Sequence, residues 1–362
     1  MVYNVIGLMS GSSMDGLDIA FCNIEETGGK WEYSIEFAAC IPFSEEWKNK
    51  LATITKQDVP TFMQTHTAFG AWMGQQVNAF IEKYNLHHKV HIIGSHGHTA
   101  FHFPENKTTV QIGCGAALAA ATGINVVSDL RAMDMALGGH GAPIVPIAEK
   151  LLFADAGLFL NIGGICNISA RNNNNIIAFD ICPANRVLNE LALELNMHFD
   201  ENGNEARNGN ILPDVLTQLN ALDYYNQSFP KSLANEIGTE IILPILQNVN
   251  ASVQDKLCTM TEHIAMQVAK QCALLNFANT AMQMMVTGGG AYNSFLIERL
   301  QEYLNSNNIK VIIPDNKVIE YKEALAMALI AVLRWREEEN VLASVTGASR
   351  NSIGGALWMG NQ

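Results

Sequence analysis

The stretch Val5-Ile6-Gly7-Leu8-Met9-Ser10-Gly11-Ser12-Ser13-Met14-Asp15-Gly16-Leu17-Asp18-Ile19-Ala20-Phe21 sets two apolar runs on either side of a small, polar, acid-bearing turn. The runs read as the paired strands of a hairpin. Gly11 and Gly16 allow dihedrals that side chains forbid, and Ser10, Ser12 and Ser13 add hydroxyls, so the turn is suited to wrapping a phosphate with N–H and O–H donors. No Lys follows, so this is not a Walker loop. Asp15 and Asp18 would repel a bare phosphate and make sense beside one only with a cation such as Mg2+ between them. Gly, Ser and Asp are also the usual turn residues, so an ordinary hairpin turn is the competing reading.

Outward from this hairpin, Trp31 to Ile41 reads as a further strand, and Pro42-Phe43-Ser44 opens a segment of helical character running through Thr65 to Lys83. A short buried strand, Val90 to Gly94, delivers Ser95-His96-Gly97-His98-Thr99 at its C-terminal end, where open α/β sheets place ligands. The Ala-rich helix Gly113 to Thr122 and the strand Ile124 to Val127 continue a βαβ rhythm, which implies a mostly parallel sheet. A second hairpin, Leu158 to Ser169 and Ile176 to Ile181, restarts the plan and suggests a weak duplication of architecture. Phe199 to Asn210, rich in Gly and Asn, reads as an exposed loop. Further on, a strand at Met284 to Thr287 runs through Gly288-Gly289-Gly290 into the helix Ser294 to Tyr303, and a long helix covers Tyr321 to Glu338.

At 362 residues the chain exceeds the size at which single cores stop growing, so two lobes are expected: 1–128 plus 341–362, and 129–340. A hydrophobic fraction of 48% against 16% charged residues speaks for compact structure. The net charge of −13 argues against nucleic-acid partners and anionic membranes. With no long apolar span and no basic leader, the sequence reads as cytoplasmic. Seven Cys without a CxxC pair read as reduced, mostly buried thiols.

Glycine-bearing turns near 11, 163 and 289 each follow an apolar strand, so backbone amides from separate loops could serve one nucleotide. Asp180 ends an apolar strand ahead of a Pro that stops pairing, and is the candidate general base; a turn or capping Asp is the alternative. His96, His98 and His102 are spaced to share a strand face, which suits a metal or, with no acid or Cys nearby, hydrogen bonds to a polar ligand. Glu323 reads as a first-turn helix charge or a ligand contact.

Taken together, the first turn, Ser95 to Thr99, Asp129-Leu130-Arg131, Gly138-Gly139-His140-Gly141-Ala142-Pro143, Asn161-Ile162-Gly163-Gly164, Thr287 to Asn293 and Val345-Thr346-Gly347-Ala348 resemble the anhydro-N-acetylmuramic acid kinases, in order along nearly the whole chain. The resemblance implies a two-domain actin-like (ribonuclease H-like) α/β fold closing on ATP and Mg2+, and a homodimer. It implies peptidoglycan recycling chemistry: water opens the 1,6-anhydro ring of a small amino sugar while the γ-phosphoryl group passes to O6. It further implies that Ser10, Gly11, Ser12, Ser13, Asp15 and Gly16 form the first phosphate loop, with Asp15 near the metal. Asn161, Gly163 and Gly164 would line the active cleft, Gly288, Gly289, Gly290 and Asn293 would hold nucleotide, and Asp180 would deprotonate the attacking water. His96, Thr99, Arg131 and Glu323 would contact the sugar.

The chain departs from the family pattern in places. Asp180-Ile181-Cys182-Pro183-Ala184-Asn185 stands where Asp-Thr-Gly-Pro-Gly-Asn is usual, His98 and His140 stand for Gln, and Ser12 for Thr. Cys182 would be strained if its position required positive φ. These changes keep two alternatives in view: a related sugar kinase with altered substrate, and a catalytically weak sensor that binds nucleotide or sugar.

Overall fold

A computed structural model describes residues 1–11, 14–172, 175–229, 231–234, 236–275 and 281–361. Its strands are β1 (Val2–Ser10), β2 (Gly16–Thr27), β3 (Lys30–Pro42), β4 (Ile92–Phe103), β5 (Thr108–Ile112), β6 (Asn125–Ser128), β7 (Leu158–Ile162), β8 (Ile165–Asn172), β9 (Asn175–Pro183), β10 (Met282–Thr287), β11 (Ile309–Ile312) and β12 (Ala356–Trp358). The chain divides into two compact units, Met1–Ala154 with Tyr321–Gln362, and Asp155–Glu320.

Each unit carries the same five-strand arrangement. In the first, β1, β2 and β3 form an antiparallel meander, and β4 then β6 extend the other side of β1 in parallel. In the second, β7, β8 and β9 form the meander, and β10 then β11 extend β7 in parallel. Parallel neighbours need long crossovers, and helices supply them: Val59–Tyr84 before β4, Gly115–Thr122 before β6, Val253–Leu274 before β10 and Ser294–Leu304 before β11. This plan, given twice, is the actin-like α/β fold, and the duplication suspected from the two hairpins is one of topology.

In the first unit the sheet is packed on both faces, which is why β1 is buried almost throughout. Ile6, Leu8 and Ile93 share one core with Phe69, Met73 and Val77 of Val59–Tyr84. That helix starts where Asp58 accepts from the Thr61 N–H at 2.8 Å and stops at Asn85, whose φ of 53° is left-handed. On the opposite face the helix Asn316–Trp335 lies so close that a Cβ on Gly7 or Gly94 would overlap the carbonyl oxygens of Ala324 or Met327. Residues 129–154 and 321–340, expected with the second lobe, therefore belong with the first. Lys322 and Glu149 pair there at 3.1 Å with both side chains buried, and the Thr346 hydroxyl donates to Asp134 at 2.7 Å. Tyr321, where the chain re-enters this unit, breaks helical geometry at φ −119°, ψ 16°.

Other expectations shift. β4 does not stop at Gly94; its antiparallel partner β5 carries it on to Phe103, so Ser95 to Thr99 lie within a strand rather than an end-loop. The run Leu158 to Ser169 is broken at Gly163–Gly164 into β7 and β8. The loop expected at Phe199 to Asn210 contains the short helix Asn204–Asn208. Among the described residues no helix is long and apolar enough to cross a membrane.

Candidate active site

In the first unit, Ser10 ends β1 opposite His98 of β4, and its Oγ lies 2.9 Å from His98 Nδ1. Both are buried, and burial pushes the His98 pKa down. The Ser10 hydroxyl is thus engaged by the residue that stands where Gln is usual. Past it the chain turns sharply: Met14 adopts φ 57° and its N–H reaches the Gly11 carbonyl at 3.4 Å. Ser12 and Ser13 lie outside the described residues. The Asp15 side chain is exposed while its carbonyl accepts from Phe43 N–H at 3.3 Å. Gly16 is glycine because a Cβ would strike the Ile41 carbonyl of the paired strand β3, a packing reason independent of phosphate.

His96 and Arg131 meet in the same unit. Arg131 Nε donates to His96 Nε2 at 2.8 Å, while His96 Nδ1 lies 3.0 Å from the Gly97 carbonyl. A guanidinium has only donors, so Nε2 must accept and Nδ1 must carry the hydrogen, which defines a neutral imidazole. Burial, reinforced by the Arg131 charge, pushes the His96 pKa down to about 3. With both ring nitrogens committed, His96 is unsuited to the metal reading. The Arg131 Nη1 donates to the Gly141 carbonyl at 2.5 Å, and the Gly141 N–H donates to Asp134 Oδ2 at 2.8 Å. Burial lowers Arg131 to about 10 against the attraction of Glu323 and Asp134, so it stays a cation. Gly139 has no room for a side chain because a Cβ would collide with the Asp134 carboxylate. Asp134, fully buried, organises the 138–141 turn around Arg131, a role the sequence reading did not assign it. Glu323 and Thr99 are both exposed, and Thr99 Oγ1 accepts from Gln111 at 3.4 Å.

In the second unit the glycine turns converge. Gly163 and Gly164, between β7 and β8, are joined to the start of the helix Asn185–Leu193: Ala184 N–H donates to Gly164 O at 2.9 Å and Asn185 N–H to Gly163 O at 3.0 Å. Asn185 Nδ2 donates to Ile162 O at 3.0 Å. Gly288, at φ 80°, follows β10 where a Cβ would sit 2.7 Å from Asn161 Oδ1, and a Cβ on Gly290 would overlap Ile162. Asn161, Gly163, Gly164 and Gly288 to Gly290 thus form one backbone cradle beside a helix N-terminus, the arrangement that favours anions. Two members were missed by sequence reasoning. Asn185 bridges the turns, and exposed Arg186 lies beside Gly164, its Nε 3.6 Å from where a Cβ would be. Both open the helix after Asp180, and that position was the available signal. Asn293 instead caps the helix Ser294–Leu304, accepting from Leu296 N–H at 3.0 Å.

Asp180, half-buried, lies near the end of β9 at a bulge, where register slips between Cys166 and Asn167. Its Oδ2 accepts from Leu233 N–H at 2.9 Å and from Ser232 Oγ at 3.1 Å. The bulged Ile181 and its neighbour Cys182 are fully buried. Cys182 lies opposite Cys166, whose thiol pKa is pushed up by the bond to Cys182 and by burial, and its φ is not positive. The strain anticipated at Cys182 is absent because its φ lies outside the left-handed region that favours glycine.

With this geometry in place the chain can be set beside known proteins. The family model for anhydro-N-acetylmuramic acid kinase matches residues 3–360. The chain belongs to that family. Relatives bearing its name include a Bacillus thuringiensis subsp. konkukian protein, 29% identical with 98% of each chain covered, and a Bacillus anthracis protein, 30% identical with 98% of each chain covered. Among solved structures, the ADPNP-bound activator of the 2-hydroxyisocaproyl-CoA dehydratase from Clostridium difficile is 15% identical at TM-score 0.47, covering 93% of this chain and 96% of that one. Membership makes the chain a sugar kinase that uses ATP and acts on a small amino sugar.

Proposed function

We propose that the protein opens 1,6-anhydro-N-acetylmuramic acid with water and phosphorylates O6 from ATP, giving N-acetylmuramic acid 6-phosphate and ADP. The observation that carries this reading is the Asp180 carboxylate near the end of β9, held through one oxygen by Ser232 and Leu233. Asp180 takes a proton from water, whose oxygen attacks C1; the C1–O6 bond breaks, and O6 receives the γ-phosphoryl group. Phosphoryl transfer asks for positioning and charge neutralisation more than covalent help. Gly164 and Gly288 to Gly290 offer backbone donors, the Gly163 N–H being bonded to the Ile165 carbonyl, with Arg186 as a cation close by. Ser10 to Gly16 form the first phosphate loop. Mg2+ is met by one or two carboxylates plus substrate oxygens, and exposed Asp15 fits that demand; the ion would neutralise phosphate charge.

His96, Thr99, Arg131 and Glu323 form the sugar side. A cation kept charged in a buried setting suits a substrate bearing a carboxylate, and neutral His96 holds it in place. Asn293 acts by holding the helix that follows the glycine turn. We place the reaction in cytoplasmic peptidoglycan recycling, carried out by a homodimer, on the family's pattern. The sensor reading, motivated by Cys182 and its neighbours, loses its motive because Ile181 and Cys182 face the core.

The test is to incubate the protein with ATP, Mg2+ and the anhydro sugar and to follow products by mass spectrometry. A sugar phosphate that has gained both water and a phosphoryl group is expected. ATP binding without phosphosugar would refute the proposal in favour of the sensor, and turnover only on other sugars would favour an altered substrate.

A further inference from the structure

Asp180 and a segment some fifty residues downstream are tied together at several points. Leu233 N–H and Ser232 Oγ both bond Oδ2 of the carboxylate. The Asp180 N–H donates to the Lys231 carbonyl at 3.1 Å, and the Tyr224 hydroxyl donates to the Asp180 carbonyl at 2.7 Å. Lys231 then anchors the segment: its Nζ donates to the Tyr224 carbonyl at 3.3 Å and lies 4.8 Å from the Tyr224 ring centre. Burial and the Asp180 charge push the Tyr224 pKa up, so its hydroxyl keeps the proton it donates to the Asp180 carbonyl.

This is more hardware than a turn aspartate requires. Main-chain bonds on either side of the residue fix its Cα, and two donors on one oxygen fix the rotation of the carboxylate plane. Among the described residues neither Ser232, Leu233 nor any other donor is bonded to Oδ1. The asymmetric bonding leaves one oxygen held and the other available.

We propose that Ser232, with the Lys231–Leu233 segment, is a positioning residue that aims Oδ1 of Asp180 at the attacking water. The inference rests on Asp180 being the base. Loss of a hydroxyl donor lets the carboxylate rotate, and a misaimed base loses rate without losing substrate. Exposed Ser232 can be changed with little effect on folding.

The experiment compares wild type, Ser232→Ala, Ser232→Thr and Asp180→Asn under saturating ATP, Mg2+ and anhydro sugar. Ser232→Ala is expected to lower kcat roughly tenfold with KM for both substrates unchanged, and Ser232→Thr, which restores the hydroxyl, to recover it, with thermal midpoints alike. Unchanged kcat in Ser232→Ala beside an inactive Asp180→Asn would overturn the positioning role while sparing the base. A parallel fall in kcat and thermal midpoint, not rescued by Thr, would make Ser232 merely structural. Full activity in Asp180→Asn would remove the base reading itself, and this inference with it.

Discussion

Acidification should destabilise the second unit through His263. His263 lies fully buried in the helix Val253–Leu274, with Nε2 2.8 Å from the Tyr225 hydroxyl and Nδ1 2.8 Å from Asn220 Oδ1. An amide oxygen accepts, so Nδ1 carries the hydrogen and Nε2 takes the tyrosine proton; the ring is neutral. Burial pushes its pKa from 6.5 down to about 3. The unfolded chain therefore binds a proton between those values that the folded chain refuses. The stability this gives is complete above 6.5 and drains away as pH falls toward 3. Integrating between pH 7 and pH 5 with those two values gives a loss of about 2 kcal/mol from this one group. Other groups titrate in the same range, so the useful quantity is a difference of differences. His263→Gln keeps a donor toward Asn220 but cannot titrate. Native-state hydrogen exchange of the Val253–Leu274 amides, read at both pH values, should show the variant losing about 2 kcal/mol less than wild type. Equal losses in the two proteins would refute the assignment of a buried, neutral His263.

Two further substitutions separate packing from ligand roles. Gly94→Ala drives a methyl into the Met327 carbonyl, and a backbone cannot step aside as a side chain can; a loss at or above the upper end of about 1–3 kcal/mol is expected. All five Trp, at 31, 47, 72, 335 and 358, lie in the first unit, so urea unfolding followed by Trp fluorescence reads this directly, and an unshifted midpoint would contradict the close helix contact. Asn293→Ala removes a helix cap and should cost about 1 kcal/mol in the second unit by circular dichroism. Unchanged stability with lost ATP affinity would make Asn293 a ligand contact instead of a cap.

The parts of this architecture that lie in local pattern were readable in advance. Both hairpins, the strand before Gly288 and the helix after it follow from apolar periodicity and glycine placement. What escaped depends on partners remote in sequence. β4 runs on through His98 and Thr99, residues that look like loop, because β5 pairs with it. Gly163 and Gly164 hide a chain reversal inside an apolar run, since a tight turn needs little polar sequence. The division between units was misjudged because Gly7 and Gly94 give no sign in sequence that a helix more than two hundred residues later will press on them. In the candidate site, Arg131 with His96 was named, but Asp134, which shapes the turn around Arg131, carries no mark in sequence that sets it apart. Asp180 stood out by its place at a strand end; the Ser232 and Leu233 donors that hold it carry no local signature.

The most direct test of the catalytic account is Asp180→Asn. Asparagine keeps the shape of the side chain and can still accept the Ser232 and Leu233 bonds through its carbonyl oxygen, but it cannot take a proton from water. Phosphosugar formation should fall by about two to four orders of magnitude, while ATP affinity measured by calorimetry stays within a factor of about two. Turnover near the wild-type rate would mean that another group activates the water.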